Sequence, residues 1–144
     1  MIEKDCFIVF DLDGVLIGEE GVDYIVKLST FSSKRKIGIQ MLEEASHRGK
    51  IIVVTGKHIS EKRNTIELLS EMGINVNIIR KFKFREEDIS PREWKLKAIR
   101  MIAEEGSVCE VHDDDEILLS ELKRDPLFRK TRLYLYRDLV AFPF

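Results

Sequence analysis

The sequence lacks several features that mark particular classes of protein. It has two cysteines, Cys6 and Cys109, too few for a disulfide framework or an all-cysteine zinc site. Its formal net charge is only -2, so the chain as a whole has no strong attraction for nucleic acid or anionic membranes, although a local basic patch is compatible with that balance. No apolar run approaches the ~20 residues that span a bilayer, and the first run ends at Asp11, too short for a signal-peptide core. We therefore expect a cytoplasmic protein with two buried thiols and no membrane partner.

What is present describes a globular domain. The chain has 144 residues, is 44% hydrophobic and 35% charged, and shows no repeat, low-complexity stretch or linker. We predict one domain over residues 1–144. Residues 17–37 are predicted to form a short surface excursion, too small to be a second domain.

Short apolar runs alternate with longer amphipathic stretches, which is typical of a parallel sheet covered by helices. The predicted fold class is α/β: a Rossmann-like three-layer sandwich with a mostly parallel sheet of about five strands. Strands are predicted at 6–10, 51–54, 76–79, 108–111 and 133–136, and helices at 38–48, 59–72, 91–105 and 116–123.

The helix at 91–105 has the strongest start signal. Ser90 is followed by Pro91 and, three residues on, by Glu93, which is the pattern of a capping box with proline at the first helical position. Its predicted apolar face consists of Trp94, Ala98, Met101 and Ile102.

Two acids follow the first predicted strand directly. Asp11 and Asp13 are two residues apart, so on an extended chain they point the same way, and Gly14 allows the backbone to turn. The carboxyl ends of parallel strands are where α/β sheets bind ligands. Carboxylates this close repel each other unless a cation lies between them or one is protonated.

Polar groups also follow two later strands. Thr55, Gly56 and Lys57 end the second strand, where a hydroxyl and backbone N–H groups can hold an anion. Four acids at 113–116 follow the fourth strand, and such a cluster favours a hard cation such as Mg²⁺. Lys95, or in its place Lys97, lies in the helix that precedes these acids and can reach the same edge.

In this order the motifs resemble those of the haloacid dehalogenase (HAD) superfamily of phosphohydrolases. The resemblance rests on Asp-Leu-Asp-Gly-Val-Leu at 11–16, Val-Val-Thr-Gly at 53–56, Lys95 or Lys97, and Asp113-Asp114, which together span almost the whole chain. Family members often have a second aspartate four residues after the first acid of the last motif, where this chain has Ile117. The family's form with two adjacent acids fits better, and three consecutive aspartates leave open whether Asp113-Asp114 or Asp114-Asp115 is the pair.

The resemblance implies an aspartyl-phosphate mechanism with a role for each motif. Asp11 is the expected nucleophile, and Asp13 is expected to protonate the leaving oxygen and later activate water. Mg²⁺ is expected at Asp11, Asp13, Asp113 and Asp114, and the phosphoryl oxygens at Thr55, Gly56 and Lys95, with Lys57 as a further substrate contact.

Many family members carry an inserted cap domain, for which neither gap in this chain has room, so the resemblance implies an open site. Lys57 and the adjacent acids look most like the polynucleotide 3′-phosphatase branch. A basic stretch with two aromatics at 80–85 is a candidate platform for phosphates and bases, or two core phenylalanines with basic residues facing water. The expected partner is a phosphorylated substrate, either a small molecule or a nucleic-acid end.

Three other functions share some of these features. A receiver domain combines acids, Thr and Lys on a similar sheet, but it places its acid pair first and lacks a second acidic cluster after the lysine. A HAD-like scaffold without turnover would bind and not react. A phosphotransferase would share the covalent intermediate with a hydrolase.

Overall fold

The computed structural model describes residues 5–17, 37–137 and 140–144. Most of the excursion predicted at 17–37 lies outside the described residues. Among those described, no helix is long and apolar enough to cross a membrane.

The described strands form one six-stranded sheet. They are β1 (Phe7–Phe10), β2 (Lys50–His58), β3 (Ile79–Arg85), β4 (Val108–Asp113), β5 (Arg132–Arg137) and β6 (Val140–Pro143). Their order is β3-β2-β1-β4-β5-β6, and all pairs are parallel except β5 with β6. The mostly parallel α/β sheet is confirmed. The expected number of about five strands was too low because β6 is a short antiparallel edge strand that ends in a proline, a weak strand signal.

Helices cover both faces of the sheet: α1 (Ile37–Ala45), α2 (Lys62–Glu71), α3 (Pro91–Glu105) and α4 (Glu116–Arg124). Ile8 and Phe10 of β1 pack in one apolar cluster with residues of α1 and α2. Val9 packs in a second cluster with residues of α3 and α4. The alternation along β1 therefore separates two core layers, as a strand buried on both faces requires.

The helix α3 begins and ends as predicted. The Ser90 side chain accepts a hydrogen bond from the Glu93 N–H, Glu93 returns one to the Ser90 backbone, and Pro91 is the first helical residue. The apolar face was one residue too wide, because Met101 is 38% exposed.

The third predicted strand was wrong. Val76–Ile78 is a turn of 3-10 helix that begins after Asn75, whose side chain accepts from the Asn77 N–H. The strand begins at Ile79 and runs through the basic stretch. Phe84 is buried and Phe82 packs against the core beside it, so these aromatics belong to the core and are not a platform for bases.

The two cysteines are not free thiols. Cys6 immediately precedes β1 and Cys109 lies in β4, so the parallel pairing of these strands brings their Cα atoms to 5.8 Å, and the side chains form a disulfide. This corrects the expectation of two thiols. The cytoplasmic location stays a prediction.

Candidate functional site

Three carboxylates meet at the carboxyl ends of the two central strands. Asp11 follows β1, Asp113 ends β4 and Asp114 comes next, and one oxygen of each lies within 4.8 Å of the others. The strand pairing causes this, because Phe10 lies opposite His112 and the Asp11 N–H donates to the His112 carbonyl at 3.0 Å. Asp11 and Asp113 are both buried. This arrangement offers a cation three carboxylate oxygens.

Gly14 allows Asp114 to approach. Its φ is +84°, in the left-handed region that suits glycine, and a Cβ there would overlap the Asp114 carboxylate. The Leu12 carbonyl accepts the backbone N–H groups of three following residues, closing a tight turn directly after Asp11. A side chain at position 14 would therefore displace one acid of the cluster.

Lys95 is the cation among these acids. From the second turn of α3, its Nζ lies 3.3 Å from Asp11 Oδ2 and 3.2 and 3.1 Å from the two oxygens of Asp113. It is buried, whereas Lys97 is exposed and pairs with Glu87. Of the two candidate lysines, the structure brings Lys95 into the site.

Burial and mutual repulsion leave this cluster short of positive charge. Burial and the neighbouring Asp113 raise the pKa of Asp11 well above its ordinary value, although Lys95 opposes the shift. The same causes raise the pKa of Asp114 to about 6. Burial lowers the pKa of Lys95, but its two acidic partners outweigh burial and the net shift is upward. Oxygen donors with unneutralised charge are the environment that Mg²⁺ prefers, so these residues fit that ion.

Asp115 has a different role from the two acids before it. Its side chain caps α4 by accepting from the Ile117 and Leu118 N–H groups, and it also binds Arg92, with Nε at 2.7 Å from Oδ2. The open register is thus resolved geometrically: Asp113 and Asp114 lie with Asp11, and Asp115 does not. The sequence analysis missed Arg92, three residues before Lys95 on the same side of α3; that spacing was the available signal.

Asp13 lies beside the cluster and not within it. Its side chain is 47% exposed, and the nearest cation is Lys57, with Nζ at 3.5 Å from Asp13 Oδ2. Lys57 also pairs with Glu61 at 3.8 Å. The pair formed by Asp13 and Lys57 therefore stands at the solvent side of the buried acids.

Thr55, Gly56 and Lys57 occupy an irregular part of β2. The pairing with β3 jumps from Val54 opposite Lys83 to His58 opposite Arg85. Within this bulge the Thr55 hydroxyl accepts the Lys57 N–H at 3.1 Å, and the Gly56 carbonyl accepts Arg85 Nε at 2.9 Å. A Cβ on Gly56 would overlap Pro91, the first residue of α3. Glycine here allows β2 to lie against the start of the helix that carries Lys95.

His112 points away from the acids. By strand alternation it faces the layer of α1, where its ring stacks on Phe10 at 4.0 Å and binds Glu110 and the Tyr136 hydroxyl. Burial lowers the pKa of His112. Hydrogen bonds from His112, Arg48 and Arg132 outweigh burial and hold the pKa of Glu110 well below its ordinary value. This network packs beneath the site and does not enter it.

Mg²⁺ should stabilise the folded chain in a pH-dependent way. Because the pKa of Asp114 is raised from 3.8 to about 6, the folded chain keeps a proton in that interval that the unfolded chain has lost. Without metal, the free energy of unfolding contributed by this group falls as pH rises through the interval. A cation offsets that loss, so millimolar Mg²⁺ should raise the Tm by about 5 °C at pH 8 and much less at pH 4.

Thermal unfolding with Mg²⁺ and with EDTA measures this effect. Asp114→Asn should lose most of the shift, and Asp88→Asn, at an exposed position outside the site, should keep it. A shift of equal size at both pH values would contradict the assignment of the metal to these carboxylates.

Comparison with known proteins bears on the fold. No protein-family model matches the chain, and a search of curated proteins found no match. Among solved structures, a chain of a Pnkp1/Rnl/Hen1 complex superposes with a TM-score of 0.69 at 18% sequence identity. The match covers 93% of this chain and 46% of that one, so this chain spans about half the length of the structure it matches. At this identity the likeness shows a shared α/β fold.

Proposed function

We propose that the chain is a HAD-type, Mg²⁺-dependent phosphomonoester hydrolase that works through an aspartyl-phosphate intermediate. The observation that carries the proposal is the contact of Lys95 with both Asp11 and Asp113 at the carboxyl ends of adjacent parallel strands. A solvated surface lysine does not explain a buried ammonium held by two acids from separate motifs.

The proposed reaction has two displacements at phosphorus. A carboxylate oxygen of Asp11 attacks phosphorus while the bond to the ester oxygen breaks, and Asp13 supplies the proton that the leaving oxygen takes up. Water then attacks the phosphorylated Asp11, Asp13 accepts a proton from that water, and Asp11 leaves with its electron pair as inorganic phosphate is released. The exposed position of Asp13 suits both proton transfers.

The remaining residues hold the phosphoryl group. Lys95 orients Asp11, and with the Thr55 hydroxyl and the Gly56 N–H it binds phosphoryl oxygens. Lys57 keeps Asp13 in place through their ion pair. Mg²⁺ bound by Asp11, Asp113, Asp114 and the Asp13 carbonyl would offset charge on the transferring group.

A nucleic-acid 3′-phosphate end is the substrate that the charge distribution favours over a small phosphate ester. Phe82 and Phe84 of β3 pack toward α1 and α2, so alternation turns Lys81, Lys83 and Arg85 to the face that also carries Lys95. Arg85 touches Gly56, which places the near end of this basic row beside the phosphate-binding bulge. A substrate with further phosphates could bind along the row.

The strand order speaks against the receiver domain. Here β1 lies between β2 and β4, the Rossmann order, whereas in the flavodoxin-like order of receivers the first strand neighbours the third. A binding scaffold without turnover and a transferase remain as alternatives that activity decides.

The first experiment is phosphate release from p-nitrophenyl phosphate, nucleoside monophosphates, sugar phosphates and a 3′-phosphorylated oligonucleotide, with Mg²⁺ and with EDTA. We expect metal-dependent release, fastest from the oligonucleotide. No release from any substrate by folded protein that binds Mg²⁺ would favour the scaffold. A phosphorylated protein whose phosphate leaves faster with added alcohols than with water would identify a transferase.

Lys95 and Lys97 form a matched pair for testing the site. Lys95→Ala should lower kcat/KM by about a thousand-fold, because the lysine holds both Asp11 and the phosphoryl group. Lys97→Ala removes the same charge from the exposed side of α3 and should change kcat/KM less than about two-fold. Steady-state kinetics on p-nitrophenyl phosphate measure both, and equal losses would remove Lys95 from its proposed role.

The basic row can be tested separately from the chemistry. Lys81→Ala with Lys83→Ala should lower kcat/KM for the 3′-phosphorylated oligonucleotide by about ten-fold and flatten its salt dependence, with p-nitrophenyl phosphate unaffected. Lys62→Ala with Arg63→Ala removes two exposed charges from α2 as a control. A similar loss on both substrates would point to general damage and contradict the nucleic-acid argument.

A further inference from the structure

A second cavity lies at the far end of the molecule from Asp11. It has a volume of about 680 Å³ and is bounded by the end of α4, the 3-10 turn Pro126–Phe128, the start of β5 and the residues at 143–144. Helix α4 begins directly after the acidic cluster and ends at this cavity, so its nine residues separate the two places by about 13 Å along the helix axis. The cavity is therefore distinct from the site of the proposed chemistry.

The cavity wall carries an excess of positive charge. Its cations are Lys123, Arg124, Arg129 and Arg132, and its one acid is Asp125. The Asp125 carboxylate is already bound on both oxygens, by Arg100 at 3.3 Å and by the Leu127 N–H at 3.0 Å. Among the described residues, no acid pairs with Arg124 or Arg129. Two guanidinium groups thus line one cavity without a counter-charge, and their planar donor forks suit a phosphate group.

The rest of the wall is apolar and partly aromatic. Pro126, Phe128 and Phe144 line it, and Lys123 Nζ lies 5.2 Å from the centroid of the Phe144 ring. A free inorganic anion has no use for such a surface, whereas a ring attached to a phosphate can pack against it. The volume also lies within the range of small-molecule sites.

We infer that this cavity is a nucleotide-binding site, in which Arg124 and Arg129 bind the phosphate and the base and sugar pack on the apolar wall. The inference does not depend on the proposed hydrolase activity. The nucleotide can be free or one unit of a nucleic-acid strand, and both sources present the same group to the cavity.

Isothermal titration calorimetry of the full chain in EDTA tests the inference. The probes are AMP, adenosine, inorganic phosphate and an oligonucleotide with hydroxyl groups at both ends. AMP should bind more tightly than either adenosine or phosphate. Arg124→Ala with Arg129→Ala should weaken AMP binding by at least about ten-fold. The control, Arg63→Ala with Lys130→Ala, removes two exposed cations that do not line the cavity and should leave AMP binding unchanged.

Each outcome decides a point. Loss of oligonucleotide binding in the arginine variant alone identifies a nucleic-acid strand as the source, and oligonucleotide binding that is absent or unaltered identifies the free nucleotide. No AMP binding to the unmodified chain, phosphate binding as tight as AMP binding, or equal losses in both double variants would overturn the inference. Phosphate release by the arginine variant should stay at the unmodified rate on p-nitrophenyl phosphate, so failure here is distinguishable from failure of the hydrolase proposal.

Discussion

Asp11→Asn should lower phosphate release by about four orders of magnitude or more and leave the fold intact. The amide has nearly the shape of the carboxylate but cannot act as the nucleophile, so the covalent step is lost and not merely slowed. The structure adds an expectation for stability. Burial and repulsion by Asp113 disfavour the charged form of Asp11, so the neutral amide should leave the Tm unchanged or raise it in the absence of metal.

Turnover of p-nitrophenyl phosphate and thermal unfolding should be measured on the same preparation. Asp88→Asn, the same change at an exposed position, controls for the loss of one charge. If Asp11→Asn kept a tenth of the activity or more, Asp11 would not be the nucleophile. If it lost activity together with its cooperative unfolding transition, the test would have to be repeated with Asp11→Glu, which keeps the charge but displaces the oxygen.

Breaking the disulfide should cost about 4 kcal/mol of unfolding free energy. The bond between Cys6 and Cys109 closes a loop with a sequence separation of 103 residues, and in the chain-entropy model a loop near that length gives about 4.7 kcal/mol, of which measured bonds often deliver less. The bond also ties together the starts of β1 and β4, the strands whose far ends carry Asp11 and Asp113. Chemical denaturation with and without dithiothreitol measures the effect.

The variant Cys6→Ser with Cys109→Ser separates the bond from the reagent. Its unfolding free energy should match that of the reduced chain and should not respond to dithiothreitol. Mass spectrometry after alkylation counts the free thiols before reduction. Two alkylated thiols in the untreated protein would restore the original expectation and contradict the bond.

Local signals predicted α3 well and β3 badly, for one physical reason. The start of α3 is decided by the side chains of Ser90, Pro91 and Glu93, which are neighbours in the chain and carry their own cap. Strand β3 is decided by its partner β2, which a single stretch of sequence does not reveal. The β-branched residues at 76–79 favoured a strand, but Asn75 closes a turn there, and the sheet takes the basic residues that follow.

The site shows the same division between what is local and what is not. Motif order was enough to predict that Asp11, Lys95 and the acids at 113–114 would meet, because each follows or precedes a buried strand. The pairing of Arg92 with Asp115 was beyond the sequence, since it depends on how α3 lies against α4. The disulfide was missed because the adjacency of β1 and β4 is a property of the whole sheet.

The basic strand β3 has a consequence for how copies of the chain meet. In the described sheet β3 has one neighbour, β2, so the backbone groups of its other side form an edge on which a strand of another molecule can pair. Two such edges that approach each other bring Arg80 and Lys81 of both copies together, and like charges oppose that pairing. Added salt shortens the range of this repulsion to about 10 Å at 0.1 M and less above it. Self-association through β3 should therefore grow with ionic strength, and concentrated stocks should stay monodisperse longest in dilute buffer.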